Sequence, residues 1–188
     1  MAIVQYIGRA NQTKLHQQLS LAPFSWIGNK ATRKGIRFAS EFHVFFDYIV
    51  DAAVFLTFQW RFAESYPGYM VKKENHVIYG DVACFFEAKQ SRADFRNDFS
   101  PGKYKGLNPK GSLNWVVTPK ALVAESEIPE AWGLLELRGN GLREIKKPKY
   151  FNLPEQEIHR LGYEMLWKEK RASQIEDRRE VMGREVLI

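Results

Sequence analysis

The run from Phe42 to Phe58 (FHVFFDYIVDAAVFLTF) constrains this chain more than any other segment. It is apolar enough to suggest a membrane span, but His43, Asp47 and Asp51 interrupt it. Each central Asp would cost about 2.5–3.5 kcal/mol to insert into a bilayer, so the run predicts buried strands of a soluble protein. β-Branched and aromatic residues dominate from Glu41 to Thr57, and Asp47-Tyr48 can turn the chain between two strands. Asp51 sits deep in the second half, where a charge is rarely tolerated without a partner or an ion.

The length of 188 residues predicts one domain, or one domain with a terminal extension. A globule of that size buries roughly 70% of its unfolded surface and needs no covalent staples. Cys84 is the single cysteine, which excludes an intrachain disulfide and a Cys-cluster zinc site and suits a reducing cytoplasm. The N-terminal residues MAIVQYIGRANQTK lack the charged and then apolar pattern of a signal peptide. His16, His43, His76 and His159 show no zinc spacing, and no P-loop, G-x-G-x-x-G or G-x-S-x-G is present.

Charge is distributed unevenly. The net charge is +6, from 28 Lys+Arg against 22 Asp+Glu. Arg9, Lys14, Lys30, Arg33, Lys34 and Arg37 fall within residues 1–40, which hold no acid, so the whole excess lies there. Such asymmetry points to a polyanionic partner, with a solvated basic segment as the plain alternative.

Residues 11–21 predict a short helix, with Leu15 and Leu19 on one face, Asn11 as cap, and Pro23 and Gly28 breaking it. Residues 60–79 read as a hairpin connection or inserted loop around Pro67-Gly68. A strand follows over 80–89, then a helix from Ser91 to about Phe99 with Ser91 as N-cap and Asp94 at N3. Residues 103–112 form a basic loop, and 114–118 a strand. A hairpin over Trp132–Ile145 turns at Gly139-Asn140-Gly141, and a helix begins at Glu155 with Ile158, Leu161, Met165 and Leu166 as its stripe. The order predicts an α/β fold with a mixed central sheet flanked by helices. It divides into a basic arm with a short helix (1–40), a core (41–150), and a C-terminal helix and tail (151–188).

The chemistry lies at the end of the 80–89 strand. Glu87 and Lys89 are two apart, so they project from one face. A carboxylate beside an amine suits metal-assisted attack on a phosphodiester, with one further acid needed to hold the ion. Asp81 shares the face of Glu87, but six residues of strand span about 20 Å, too far for joint coordination. The partner must come from another strand: Asp51 is the choice, and Asp47, where a turn would suit an Asp, is the weaker rival.

Asp51 followed by Glu87-Ala88-Lys89 resembles the D…ExK signature of the PD-(D/E)XK nuclease superfamily. The flank Phe86-Glu87-Ala88-Lys89-Gln90-Ser91-Arg92-Ala93-Asp94-Phe95 is similar to the "EvKxSrxDf" stretch of MmcB-like bacterial and phage proteins, a branch associated with DNA repair. Trp115-Val116-Val117-Thr118-Pro119 and Ile128-Pro129-Glu130-Ala131-Trp132-Gly133-Leu134-Leu135 resemble that group's later strands. The resemblance spans roughly residues 41–150. The sequence departs from the pattern in the long separation of Asp51 from Glu87 and in having Val50 where the motif has proline.

The resemblance implies a restriction-endonuclease-like core and hydrolysis of DNA, in repair or phage DNA metabolism, in the cytoplasm of a bacterium or a phage-infected host. It implies that Asp51 and Glu87 hold Mg²⁺ or Mn²⁺, that Lys89 orients water or steadies the developing charge, and that Gln90 bonds the same water or a phosphate oxygen. Glu41 is compatible with an accessory ligand, with a simple strand-edge or cap residue as the plainer alternative. Arg92, Arg96, Lys103, Lys105 and Lys110 form a candidate track for the DNA backbone, while Tyr104, Trp115 and Trp132 are either base-stacking or core residues. A nuclease-fold DNA-binding or assembly module without turnover, and a restriction-type endonuclease, are the competing readings. No membrane partner is expected, and a homodimer is compatible with the sequence.

Overall fold

A computed structural model describes residues 13–30, 36–45, 48–56, 60–69, 73–74, 77–78, 81–99 and 111–164. The apolar run forms a hairpin, β1 (Ile36–Phe45) and β2 (Tyr48–Leu56), whose antiparallel register closes at Phe45 opposite Tyr48. After a short helix, α2 (Trp60–Ala63), a separate two-stranded ribbon pairs β3 (Lys73–Glu74) with β4 (Val77–Ile78). Strands β5 (Val82–Ala88), β6 (Leu113–Pro119), β7 (Gly133–Arg138) and β8 (Gly141–Lys146) complete a six-stranded sheet of order β1-β2-β5-β6-β7-β8. β5, β6 and β7 run parallel, and the other pairs are antiparallel, so the fold is α/β with a mixed sheet. No helix among the described residues is long and apolar enough to cross a membrane.

β5 is buried along its whole length because it is paired on both sides and covered on both faces. Val82, Cys84, Phe86 and Ala88 share one cluster with Leu19, Trp26 and Ile27 of helix α1 (Lys14–Lys30), while Ala83 and Phe85 pack with Phe55 and Leu161. Leu161 belongs to a helix over residues 155–164, where Ile158 and Leu161 pack as expected, while Met165 and Leu166 of the expected stripe lie outside the described residues. Helix α3 (Arg92–Phe99) buries Phe95 and Phe99 against Val116, Trp132 and Leu134. Trp115 and Trp132 are fully buried, so both are core residues. Phe86 stacks on the Trp115 indole, and Trp26 and Tyr66 meet it edge-on.

α1 corrects the sequence reading in three respects. It continues through Pro23 and Gly28, it is capped by Thr13 rather than Asn11, and Leu15 is exposed. Its buried stripe is Leu19, Ser20, Pro23, Trp26 and Ile27, a helical period running past the proline. An interior proline costs about 3 kcal/mol. Burying Leu19 and Ile27 contributes about 1.5–3 kcal/mol each, and Trp26 adds its contact with Trp115, so packing outweighs the break. Within residues 1–40, the described helix α1 shares the main core and the start of β1 pairs with β2.

The 60–79 segment is tied down where it is described. Ala63 and Tyr66 enter the core, Tyr150 N–H donates to the Pro67 carbonyl at 2.6 Å, and Lys147 Nζ donates to the Ser65 carbonyl at 3.0 Å. The β7–β8 hairpin turns through Gly139-Asn140, with Gly139 at φ 60°, the conformation a first-position glycine supplies in a II′ turn.

Candidate functional site

The site forms at the carboxyl end of β5, where two helices begin. Ser91 caps α3 by accepting the Asp94 N–H on Oγ at 3.1 Å, and Asp94 Oδ2 accepts the Gln90 N–H at 3.0 Å. Together these two bonds fix the direction in which the chain leaves the strand. Thr13 caps α1 by accepting the His16 N–H at 3.1 Å, and its hydroxyl donates to Gln90 Oε1 at 2.5 Å. Gln90 therefore ties the two helix starts together, with its side-chain oxygen turned to Thr13.

Asp51 reaches the same place from β2. The β2–β5 ladder has its last pair at Ala52 and Phe86, and beyond it Asp51 Oδ2 accepts the Ala88 N–H at 2.7 Å. The carboxylate thus satisfies a strand donor that would otherwise be orphaned. Asp51 Oδ1 lies 3.2 Å from His16 Nε2. The hydrogen bond to Asp51 raises the His16 pKa above its usual value; burial opposes this, and Asp94 adds to it.

Glu87 and Lys89 are both buried, on the strand face toward α3. Lys89 N–H donates to the Val117 carbonyl at 2.9 Å, which holds the residue in line with β6 after β5 has ended. Lys89 Nζ sits 2.5 Å from Asp98 Oδ2 and 3.4 Å from Glu87 Oε2. Burial works to lower the ammonium pKa, but Glu87, Asp98 and Asp51 outweigh it and move the pKa up, so Lys89 is a cation.

The structure therefore brings Asp51, Glu87, Lys89 and Gln90 to one end of the sheet. Glu41 lies on β1 at the position facing Asp51, between the pairs Ser40–Ala52 and Phe42–Val50. Arg92 Nη1 donates to Glu127 Oε2 at 2.7 Å and to the Leu122 carbonyl at 3.1 Å. Arg96 lies on α3, while Lys103, Lys105, Lys110, Tyr104 and Asp47 fall outside the described residues. Among the described residues, no three His, Cys, Asp or Glu side chains are placed to hold an ion together.

His16, Thr13 and Asp98 were not singled out from the sequence. His16 lies three residues before Leu19 and four before Ser20, so a stripe drawn through Leu19, Ser20 and Pro23 would have included it. Asp98 follows Asp94 by one turn beside the Phe95 and Phe99 stripe, which becomes visible once Ser91 fixes the helix start.

No protein-family model matches the sequence, and no curated protein matches it. The fold is similar to that of a solved structure described as the SPO1766 protein of unknown function from Silicibacter pomeroyi. That match has a TM-score of 0.63 at 15% identity and covers 90% of this chain and 95% of the other.

Proposed function

We propose that the chain is a metal-dependent nuclease of the PD-(D/E)XK type acting on DNA, in repair or phage DNA metabolism. The observation that carries the reading is the hydrogen bond from Ala88 N–H to Asp51 Oδ2, which joins the predicted acid to the Glu87-Ala88-Lys89 strand end. Two acids from neighbouring strands and one buried ammonium then stand at the carboxyl end of β5, beside the starts of two helices.

The donor chemistry fits Mg²⁺ or Mn²⁺. Mg²⁺ is commonly held by one or two carboxylates, with water and substrate phosphates completing its shell, so Asp51 and Glu87 suffice without a third side chain. Such an ion would polarise the scissile phosphate and lower the pKa of bound water. The chain's own contributions are separate from it. Lys89 presents a fixed cation where negative charge develops, and the start of α3 adds a favourable field for an anion. Gln90 holds the two helix starts in register, which preserves that alignment.

A second reading is a nuclease-fold DNA-binding or assembly module without turnover. The pairing of Asp51 with His16 and of Glu87 with Lys89 favours it, because both carboxylates already have internal partners.

Cleavage of duplex, single-stranded and branched DNA with Mg²⁺ or Mn²⁺ separates the two. Glu87→Ala and Lys89→Ala should abolish cleavage while leaving DNA binding intact. Mutants that cut as well as the wild-type protein would reject the site, and a wild-type protein that binds DNA but cuts none of the three forms would favour the module.

A further inference from the structure

We infer that Lys120, Arg138 and Arg143 form a docking track for the phosphate backbone of a DNA strand, leading across the sheet toward Lys89. The inference rests on the DNA reading above, in its nuclease or its module form, and uses none of the residues of the basic track expected from the sequence.

The track follows from sheet register. Ala88 pairs with Val117 in the parallel β5–β6 ladder, so Lys89 falls level with Thr118. Thr118 pairs with Glu136, and Glu136 with Arg143. Residues level with one another in neighbouring strands share a face, so these four form one row on the side of α3. Three strand steps of about 4.8 Å put Arg143 about 15 Å from Lys89, roughly four nucleotides of one DNA strand at about 3.4 Å each. Lys120 directly follows β6 and Arg138 ends β7, at the carboxyl side of the row. All three bases are exposed.

A buried acid holds the middle of the track. Glu136 Oε2 accepts Arg138 Nε at 3.2 Å and Nη2 at 2.7 Å, while its Oε1 accepts the Ala121 N–H at 2.9 Å. Ala121 has φ 57°, a left-handed conformation that is costly for a residue with a Cβ. One carboxylate therefore fixes both the guanidinium and the turn that carries Lys120. Arg138 Nη1 has no protein acceptor among the described residues, and Lys120 and Arg143 form no ion pair among them. A guanidinium fixed beforehand loses less freedom on meeting a phosphate. Neighbouring acids face elsewhere. Glu144, beside Arg143, turns to the other face, where it accepts the Trp115 indole N–H and meets Lys30. Glu127 pairs with Arg92, and Glu125 and Glu130 stay exposed further along the β6–β7 connection.

The test is binding of the full-length protein to fluorescein-labelled duplex and single-stranded DNA in EDTA, read by anisotropy across a range of salt. Each phosphate contact contributes about 0.9 to the slope of log K against log salt on duplex DNA. Lys120→Ala with Arg143→Ala should flatten that slope by roughly two and weaken binding about tenfold or more near about 0.1 M salt. Arg138→Lys keeps the charge but loses the fork, so it should weaken binding about threefold with the slope unchanged. Lys147→Ala with Lys149→Ala removes the same charge at the opposite end of the sheet, beside the start of β7, and should move the slope by less than about half a unit. Equal losses from the two pairs would mean that net charge alone acts and would overturn the track, as would an unchanged slope for Lys120→Ala with Arg143→Ala. Phosphatidylserine vesicles bound more tightly than DNA would assign the patch to a membrane surface and overturn it as well. A wild-type protein that binds neither DNA form would instead bring down the DNA reading, and this inference with it. Lys120 and Arg143 are exposed, so thermal melts of their double variant should match the wild type.

Discussion

Asp51 accepts the Ala88 N–H at 2.7 Å just past the last backbone pair between their strands, so one carboxylate closes the ladder and stands in the site at once. The two roles can be separated by substitution. Asp51→Ala leaves a part-buried donor without a partner, a cost of about 1–3 kcal/mol. Asp51→Asn keeps an oxygen for that N–H while removing the charge, so its cost should be less than half as large. Both should lose Mg²⁺-dependent cleavage. Urea melts paired with cleavage assays test this, and a stable Asp51→Ala protein would show that the ladder end does not depend on the carboxylate.

The start of α3 makes a second prediction. Ser91 Oγ accepts the Asp94 N–H, and replacing such a cap with Ala costs about 1 kcal/mol. Ser91→Thr should retain most of the stability because its hydroxyl can take the same bond. If the cap also aligns Asp98 with Lys89, Ser91→Ala should slow cleavage beyond what its small loss of folded protein explains. Equal specific activity at full folding would confine Ser91 to stability.

These contacts also show what the sequence could reveal. The strand end at Glu87-Ala88-Lys89, the cap at Ser91 and the acid at Asp51 were legible because each follows from local pattern or from the cost of an unpaired charge. The path of α1 was not. Pro23 and Gly28 are local breakers, and only the tertiary burial of Leu19, Trp26 and Ile27 reveals that the helix persists. His16 lies inside the helix that the sequence predicts, but its approach to Asp51 depends on how that helix packs against β2. Arg92 reads from the sequence as a basic residue of the candidate track, and its pairing with Glu127, thirty-five residues on, is seen only in the fold. Neither pairing leaves a mark in local sequence.

Glu136 supplies a pH prediction. Burial pushes its carboxyl up, but bonds from Arg138 and from the Ala121 N–H outweigh burial and hold it below the usual carboxylate value of 4.5. A carboxyl depressed in the folded state contributes stability that is present above its unfolded pKa and lost as pH falls through its folded one. The stability gap between wild type and Glu136→Gln should therefore be constant above about pH 6 and shrink below 4.5. Urea midpoints across pH 3 to 7, at roughly one-unit intervals, measure it. A gap that widens toward acid would reverse the assigned sign.

Gly133 links the core to the site. A Cβ there would stand 2.5 Å from Trp115 Cδ1 and 2.7 Å from Pro148 Cδ, closer than packed atoms allow. Gly133→Ala must displace the Trp115 indole, with an overpacking cost of about 1–3 kcal/mol. Displacement also strains the 3.3 Å bond from Trp115 Nε1 to Glu144 and the stack on Phe86, the residue before Glu87. The variant should change its near-ultraviolet circular dichroism, melt earlier and lose cleavage out of proportion to its stability. Gly141→Ala is the matched control, because nothing lies within 4 Å of its added carbon. If both variants behaved like wild type, the packing between β6 and β7 would be looser than these distances require, and Phe86 would no longer connect the core to the acids.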